Sequence, residues 1–426
     1  MSTSPREVFR GWWIVAVAFA AQALAIGLSI IPYGLFIDPI TEEFGASVMT
    51  ANWGVAILFV VMTLVGPVVG WLVDRRSIRA IMVAGALLMS ASFGLMSVAT
   101  TLWQLGLLFG VGVGMGVAML GPLSATAVVA KWFDRKRGRA LGVAAIGPMA
   151  GGFLLTPLVG GLLEYGDWRS VLQWFAVGVL GIVPLVWVVI RNRPEDLGQL
   201  PDGEVAPAPD AAPTSGGEIW TTVEILSARN FWGLALGVGI VFGLGTGWGA
   251  NAPKYILDLG YGTQQTAYLL AVGAGVGIPA TVLFGWLAER FDGRVLLWIS
   301  FGAQMASFAV LRLEPGFGLL VAAFVLIGFS AGAMLPVYAS LIARMFGPVS
   351  FGQVMGLAGL VLLPFGTLAP PVIGLLRDTS GGYGSTLLLL IGSFAISCAV
   401  LGLLRGHAPR VPAMTTSPAS HPIAGS

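Results

Sequence analysis

The chain has 426 residues, 56% of them hydrophobic and only 10% charged, where soluble globular domains carry about 25% charged residues; a soluble fold is excluded and a bilayer is implied. A formal net charge of +2 is too small for a polyelectrolyte surface, so no nucleic-acid partner is expected and the placement of the charges matters more than their sum. The single cysteine, Cys398, lies inside an apolar run, which excludes an internal disulfide.

A transmembrane helix needs about 20 mostly apolar residues. Behind a short polar N-terminus (1–10), the run 11–37 is too long for a signal-peptide core and shows no small-residue cleavage site, so it reads as a retained first span. Further runs lie near 51–73, 78–99, 103–130, 139–163 and 170–190, and after a polar gap near 231–257, 264–288, 295–313, 316–343, 350–376 and 385–404. The expectation is an all-α membrane protein of twelve transmembrane helices. It divides into a six-helix bundle over 11–190, a linker over 191–230, a second six-helix bundle over 231–404 and a disordered tail over 405–426. The linker is rich in Pro, Gly, Ala and acid and cannot bury a core, while its end, IWTTVEILSARN, reads as a short interfacial helix.

Cations gather on one side of this topology. Arg75, Arg76 and Arg79 follow span two; Lys131, Arg135, Lys136, Arg137 and Arg139 follow span four; Arg191 and Arg193 follow span six; Arg290 and Arg294 follow span eight; Arg405 follows span twelve. The opposite connections carry acids: Asp38, Glu42 and Glu43, then Glu164 and Asp167 with Arg169, then Asp258. By the positive-inside rule both termini and the linker are expected in the cytoplasm. The run KWFDRKRGRA also suits anionic lipid headgroups, at about 1 kcal/mol per cation.

GWLVDR (70–75) is echoed by GWLAER (285–290), and TPLVGGLL (156–163) by PPVIGLL (370–376). The offset from Pro157 to Pro371 is one residue shorter than that from Gly70 to Gly285. Two independent matches at nearly one spacing argue for duplication. Two matching six-span halves are what alternating access requires, because they can rock about a site held between them near the membrane midplane.

The G-x-x-x-D-R pattern at Gly70, Asp74 and Arg75 with Arg79, its copy at Gly285, Glu289, Arg290 and Arg294, and the central linker resemble the major facilitator superfamily over essentially residues 10–405. Within it, RGWW at 10–13, KWFDRKRGRALGVA at 131–144, the Gly- and Pro-rich span five and NRPEDLG at 192–198 resemble the monocarboxylate transporter and oxalate:formate antiporter branch. The resemblance implies a multi-pass protein of a bacterial inner membrane, a monomer, whose paired motifs form a cytoplasmic latch. Gly70 and Gly285 would let helices approach, and Asp74 and Glu289 would reach a helix end or an arginine across the interface and stabilise the outward-open state. A positive-inside loop explains Arg76 and Arg79 equally well, but not the two acids, which contribute little to topology.

Polar and ionisable residues inside spans are functional candidates by default. Gln22 and Tyr33 in span one and Asn251, Lys254 and Tyr255 in span seven stand in equivalent spans of the two halves, and Tyr338 follows Pro336 in span ten. Gly245, Gly247, Gly249 and Pro253 are expected to break span seven and free backbone groups to line a cavity. Lys254 is the leading anion-attracting group, with snorkelling to headgroups as its competing role; Gln22 and Asn251 equally suit interhelical hydrogen bonds. Arg312 and Arg377 stand near outer span ends, Arg377 beside Asp378. Oxalate carriers of the resembled branch use basic residues deep in spans eight and eleven, and its monocarboxylate transporters an Asp and an Arg in span eight. Here span eight reads AYLLAVGAGVGIPATVLFGWLA, and span eleven has no charge before Arg377. A monocarboxylate or a larger, more neutral compound therefore fits better than a dicarboxylate. No mid-membrane acid offers a proton relay, and Asp38 is the nearest group for a coupling proton.

The expected function is a secondary active or facilitative transporter of small organic anions, working by rocker-switch alternating access within the lipid bilayer. The alternative is an exporter or facilitator of amphipathic, drug-like neutral compounds. No enzyme, cofactor or metal site is expected, since the spans hold no His/Cys/Asp cluster, nucleophile motif or phosphate loop. GVGVGMG (110–116) lies inside an apolar span without the strand and helix of a dinucleotide loop and reads as helix packing.

Overall fold

The computed structural model describes residues 9–133, 136–197, 220–347 and 350–404, with residues 199 and 202. The loop positions Asp134 and Arg135, most of the linker and the tail after Leu404 lie outside the described residues, so the expectations of a flexible linker and a disordered tail fall there. All regular structure among the described residues is helical.

Among the described residues eleven segments are long and apolar enough to cross a bilayer, and span one is assembled from shorter pieces. Span one comprises the helix Gly11–Gly27 and a 3-10 turn Tyr33–Phe36, and a short helix Ile37–Phe44 with the acids Asp38, Glu42 and Glu43 follows it at the far face. Spans two and three are Val48–Arg75 and Ile78–Met96. Span four runs from Leu102 to Trp132, and spans five and six are Gly138–Tyr165 and Trp168–Val189. Spans seven to twelve are Arg229–Asp258, Thr263–Arg290, Gly293–Leu311, Phe317–Phe346, Phe351–Ser380 and Gly384–Gly402. Both ends of the described chain emerge on one face, here the termini face; the opposite one is the far face.

Local chemistry sets the turns. Gly45 and Gly260, which stand at the same offset as Gly70 and Gly285, adopt positive φ of 60° and 88° at the ends of spans one and seven, a conformation that glycine takes without strain. Two residues later Ser47 and Gly262 take the N-cap positions of spans two and eight. Thr221 and Glu224 form a reciprocal capping box that starts the short helix Thr222–Ser227, in the segment read as interfacial.

Two apolar cores result. One gathers buried residues from Ile14 to Ile190 together with Ala250 and Ala267, and the other residues from Ile225 to Leu404. The same tie closes the termini end of each half. The Lys131 ammonium donates to the Val73 carbonyl at 3.1 Å, and the Arg344 guanidinium to those of Ala288 and Glu289, satisfying orphan carbonyls at the ends of spans two and eight. Val73 and Ala288 again stand at the offset of Gly70 and Gly285. Lys131 thus has a partner inside its own half and is not solely a headgroup anchor.

The expected break in span seven is corrected: Arg229–Asp258 is one continuous helix of 30 residues through Pro253, and span one is the interrupted one. A proline removes one backbone hydrogen bond; of the three glycines expected to break the helix Gly247 serves close packing, as does Gly243, while Gly245 and Gly249 face open space within the intact helix. A Cβ on Gly243 would overlap the backbone of Phe365, and one on Gly247 would meet Ala369 at 2.9 Å. The glycines at 110–116 also pack helices, a Cβ on Gly116 meeting Met89 at 2.7 Å.

Candidate functional site

The halves meet through spans two and eleven on one side and five and eight on the other. At the far face the helices touch: a Cβ on Gly374 of span eleven would meet Met49 and Asn52 of span two at 2.8 Å, and one on Gly160 of span five would overlap Ala267 of span eight. At mid-depth Met149 of span five still lies 2.9 Å from the Cβ position of Gly277. Towards the termini face the same helices part, and a Cβ on Gly66 or Gly70 of span two, on Gly142 of span five, or on Gly352 or Gly356 of span eleven would meet nothing within 4 Å. The two bundles form a V sealed at the far face.

A chain of charges locks that seal. Lys254 of span seven holds Asp38 of the opposite half at 2.8 Å and Asp258 one turn further along its own helix. Asp258 accepts in turn from Arg377 of span eleven at 3.1 Å, and Arg377 lies 3.5 Å from Asp378. Asp378 accepts the backbone N–H of Met49 at 2.9 Å. The contact is reciprocal: a carboxylate of the first half sits on a cation of the second, and a carboxylate of the second sits on the positive N-terminus of span two. Three carboxylates surround two cations, so Lys254 is already neutralised in this conformation.

Beneath the charges lies a buried amide joint. The Asn52 amide donates to Asn251 Oδ1 at 2.8 Å and to the Pro370 carbonyl at 3.1 Å, and Asn251 donates to the Gly247 carbonyl. The Tyr383 hydroxyl reaches Asn251 Oδ1 at 3.5 Å. The two bonds donated by Asn52 cross between the halves among buried groups, and leaving them unmade is costly.

The structure brings Asn251 and Lys254 to this junction and engages Gln22, Tyr33 and Tyr255 elsewhere. Gln22 donates to the Ala144 carbonyl at 2.8 Å; that carbonyl is four residues before Pro148, whose missing N–H cannot serve it. Tyr33 and Tyr255 donate to the carbonyls of Ala51 and Leu311. Tyr338 differs: its buried hydroxyl has no partner among the described residues, and Ser124 in span four is in the same state. Each stands two residues after a proline, Pro336 and Pro122, so the two occupy matching positions of the repeat.

The residues expected to form a latch sit where the V is open. Arg75 stacks over Trp71 at 4.9 Å, Arg79 over Trp187 at 4.6 Å and Arg290 over Trp286 at 4.0 Å, each within its own half. Arg294 binds Asp292 and the Leu404 carbonyl, holding the Asp292 carboxyl below its ordinary range. Glu289 is exposed, the Gly285 Cβ position lies 3.9 Å from Pro336, and the side chain of Asp74 lies outside the described residues.

Sequence reading missed Asn52, Asp378 as a helix cap, and the bond of Arg377 to Asp258. Asn52 carried a signal, being an amide in an apolar span. Its partner could not be read, because Asn251 belongs to the other half of the chain.

The family model for the Major Facilitator Superfamily matches residues 14–318. Among curated relatives, monocarboxylate transporter 11 of Homo sapiens is 28% identical over 406 residues, covering 91% of this chain and 81% of that protein. Monocarboxylate transporter 12 of Mus musculus is 26% identical over 94% of this chain and 87% of its own length. Among solved structures, a bacterial homolog of the human lysosomal transporter Spinster, in an inward-facing and occupied conformation, superposes with a TM-score of 0.72 at 18% identity. The match covers 94% of this chain and 97% of that one.

Proposed function

The chain belongs to the major facilitator superfamily, a transporter related to the monocarboxylate transporters, and we propose that it carries small organic anions of monocarboxylate type by alternating access. The observation that carries this reading is the V: spans two and eleven touch at Gly374 and face open space at Gly70 and Gly352. Two bundles joined at one end only are built to exchange which end is joined. In the opposite state the far-face charges separate, and the motifs at Gly70, Asp74, Arg75, Arg79, Gly285, Glu289, Arg290 and Arg294 close the termini face.

On opening of the far face Lys254 loses Asp38 and gains room for a substrate carboxylate, with Asn251 beside it. Tyr338 offers a free hydroxyl, since an unpaired buried donor is stabilised by any acceptor that reaches it. Gln22, Tyr33 and Tyr255 shape the surrounding helices. The termini face is cytoplasmic in this reading, in a bacterial inner membrane, because the cation-rich turns lie there.

The test is uptake into proteoliposomes of labelled lactate, pyruvate, oxalate and a neutral amphipathic dye, with and without a pH gradient. Monocarboxylate uptake should exceed oxalate uptake, and Tyr338→Phe should raise KM about tenfold, the worth of one hydrogen bond of about 1.4 kcal/mol. Dye transport without carboxylate transport would favour the reading as a carrier of neutral amphipathic compounds, which the uncharged span eight supports. A pH gradient that leaves uptake unchanged would exclude a coupling proton.

A further inference from the structure

A cavity of about 420 Å³ lies wholly within the first half, away from the junction, between the far ends of spans one, two and four. That size falls within the ~300–1,000 Å³ of pockets that take small ligands. Its back wall is Phe93, Met96, Phe109 and Phe175. Its mouth lies between Trp53 of span two and Trp103 of span four, 42% and 68% exposed.

The opening follows from the helix geometry. Spans two and four touch where a Cβ on Gly110 would overlap Ile57, and one turn nearer the far face Gly106 faces open space. Between them span four changes to a π-helix, Leu108–Val113, which widens the turn. From Thr50 to Ile57 the cavity descends seven residues, or about 10 Å at the helical rise. It therefore opens sideways between two membrane helices, within the leaflet of the far face, where the surrounding medium is hydrocarbon.

The lining decides the ligand. Besides the indole N–H groups of Trp53 and Trp103 at the mouth, its polar side chains are Ser29, Tyr33 and Thr50, and their hydroxyls are bound to the Ala25 carbonyl, the Ala51 carbonyl and Ser47. Among the described residues no charged side chain lines it, so it is not a second site for an organic anion, and an apolar cavity does not stabilise water. At the equivalent register of the other half, Trp248 stands in place of Tyr33 and is buried against Tyr255, Phe308 and Tyr383.

We infer that this cavity binds one acyl chain of a phospholipid of the far-face leaflet, which enters between Trp53 and Trp103 while its headgroup stays at the surface. Burial of each methylene against these walls is favourable relative to a void, because the walls regain contacts that an empty space denies them. The turn Tyr33–Phe36 is shared with the far-face seal: Gly34 packs on Ala250 and Pro253 of the other half.

The test is photolabelling of the full chain in liposomes whose phosphatidylcholine carries a diazirine along one acyl chain, with labelled peptides mapped by mass spectrometry. Label is expected on Phe93, Met96 or Phe109, which a chain lying on the outer surface cannot reach. Gly106→Phe, at a cavity-lining position whose Cβ meets nothing within 4 Å, should cut that label at least tenfold, and the smaller plug Gly106→Leu should cut it partially. Label on exposed Leu64 and Leu158 should be unchanged in both. Absence of label on the back wall, or equal label in the plugged variants, would overturn the proposal. Labelling of the back wall by a photoreactive free fatty acid but not by the phospholipid would overturn it as well.

Discussion

The first half breaks its leading span and keeps a cavity beside it, whereas the second half runs the equivalent span as one helix and fills the same place with Trp248. The duplicated plan survives in the turns and ties: Gly45 matches Gly260, and the Lys131 bond to Val73 matches the Arg344 bond to Ala288. What has diverged is the packing of the far third. Motif spacing records where: the offset between halves is one residue shorter at Pro157 and Pro371 than at Gly70 and Gly285. A π-helix, equivalent to one residue inserted into an α-helix, lies between those positions in span four and has no counterpart in the continuous span ten.

The largest expected effect separates the two far-end packings. Trp248→Ala should destabilise the protein by about 3–5 kcal/mol, because a fully buried aromatic leaves a cavity. Tyr33→Trp, growing into space that already exists, should change stability by under ~1.5 kcal/mol. Thermal unfolding of both variants in the same detergent checks the pair, and equal losses would break the comparison.

The next contrast uses the glycines at one register. A Cβ on Gly34 would overlap the Ala250 carbonyl, while one on Gly249, its counterpart in the second half, meets nothing. Gly34→Ala should wedge the far face, at a cost of about 1–3 kcal/mol to the sealed state. Gly249→Ala, inside a helix, should stabilise by about 0.5–1 kcal/mol. Reagent access to a cysteine placed at Ala250, buried against Gly34 in the sealed state, would report the wedge.

The smallest effect is electrostatic. The hydrogen bond from Arg169 holds the Glu43 carboxyl below its ordinary range. Its contribution is therefore present above the unfolded pKa and is lost as pH falls through the lowered folded value. Thermal stability should fall slightly more in wild type than in Glu43→Gln as the pH is lowered past the ordinary carboxylate range.

Twelve spans, the repeat and the family were legible because hydropathy and local motifs are properties of the chain itself. The junction was legible only in part. Lys254 stood out as a cation in a span, but its bond to Asp38 joins the two halves of the chain, and nothing in either neighbourhood encodes the pairing. Gly245, Gly247 and Gly249 were misread as helix breakers because glycine serves both flexibility and close approach; the facing Ala369 shows Gly247 to be a packing glycine, and the helix runs unbroken through the other two. The cavity was not legible: it depends on one π-turn and on the absence of a side chain at Gly106.

The central claim is that the Asp38–Lys254 bond and its neighbours hold the far face shut. Spin labels at Tyr165 and Leu313, 91% and 77% exposed at the far ends of spans five and nine, would measure that closure by pulsed dipolar spectroscopy in a Cys398→Ala background. The substrate-free protein should give one short distance, and Asp38→Asn should add a second, longer one with at least a fifth of the population. An identical single distribution in both proteins would contradict the assignment of this charge chain as the far-face lock.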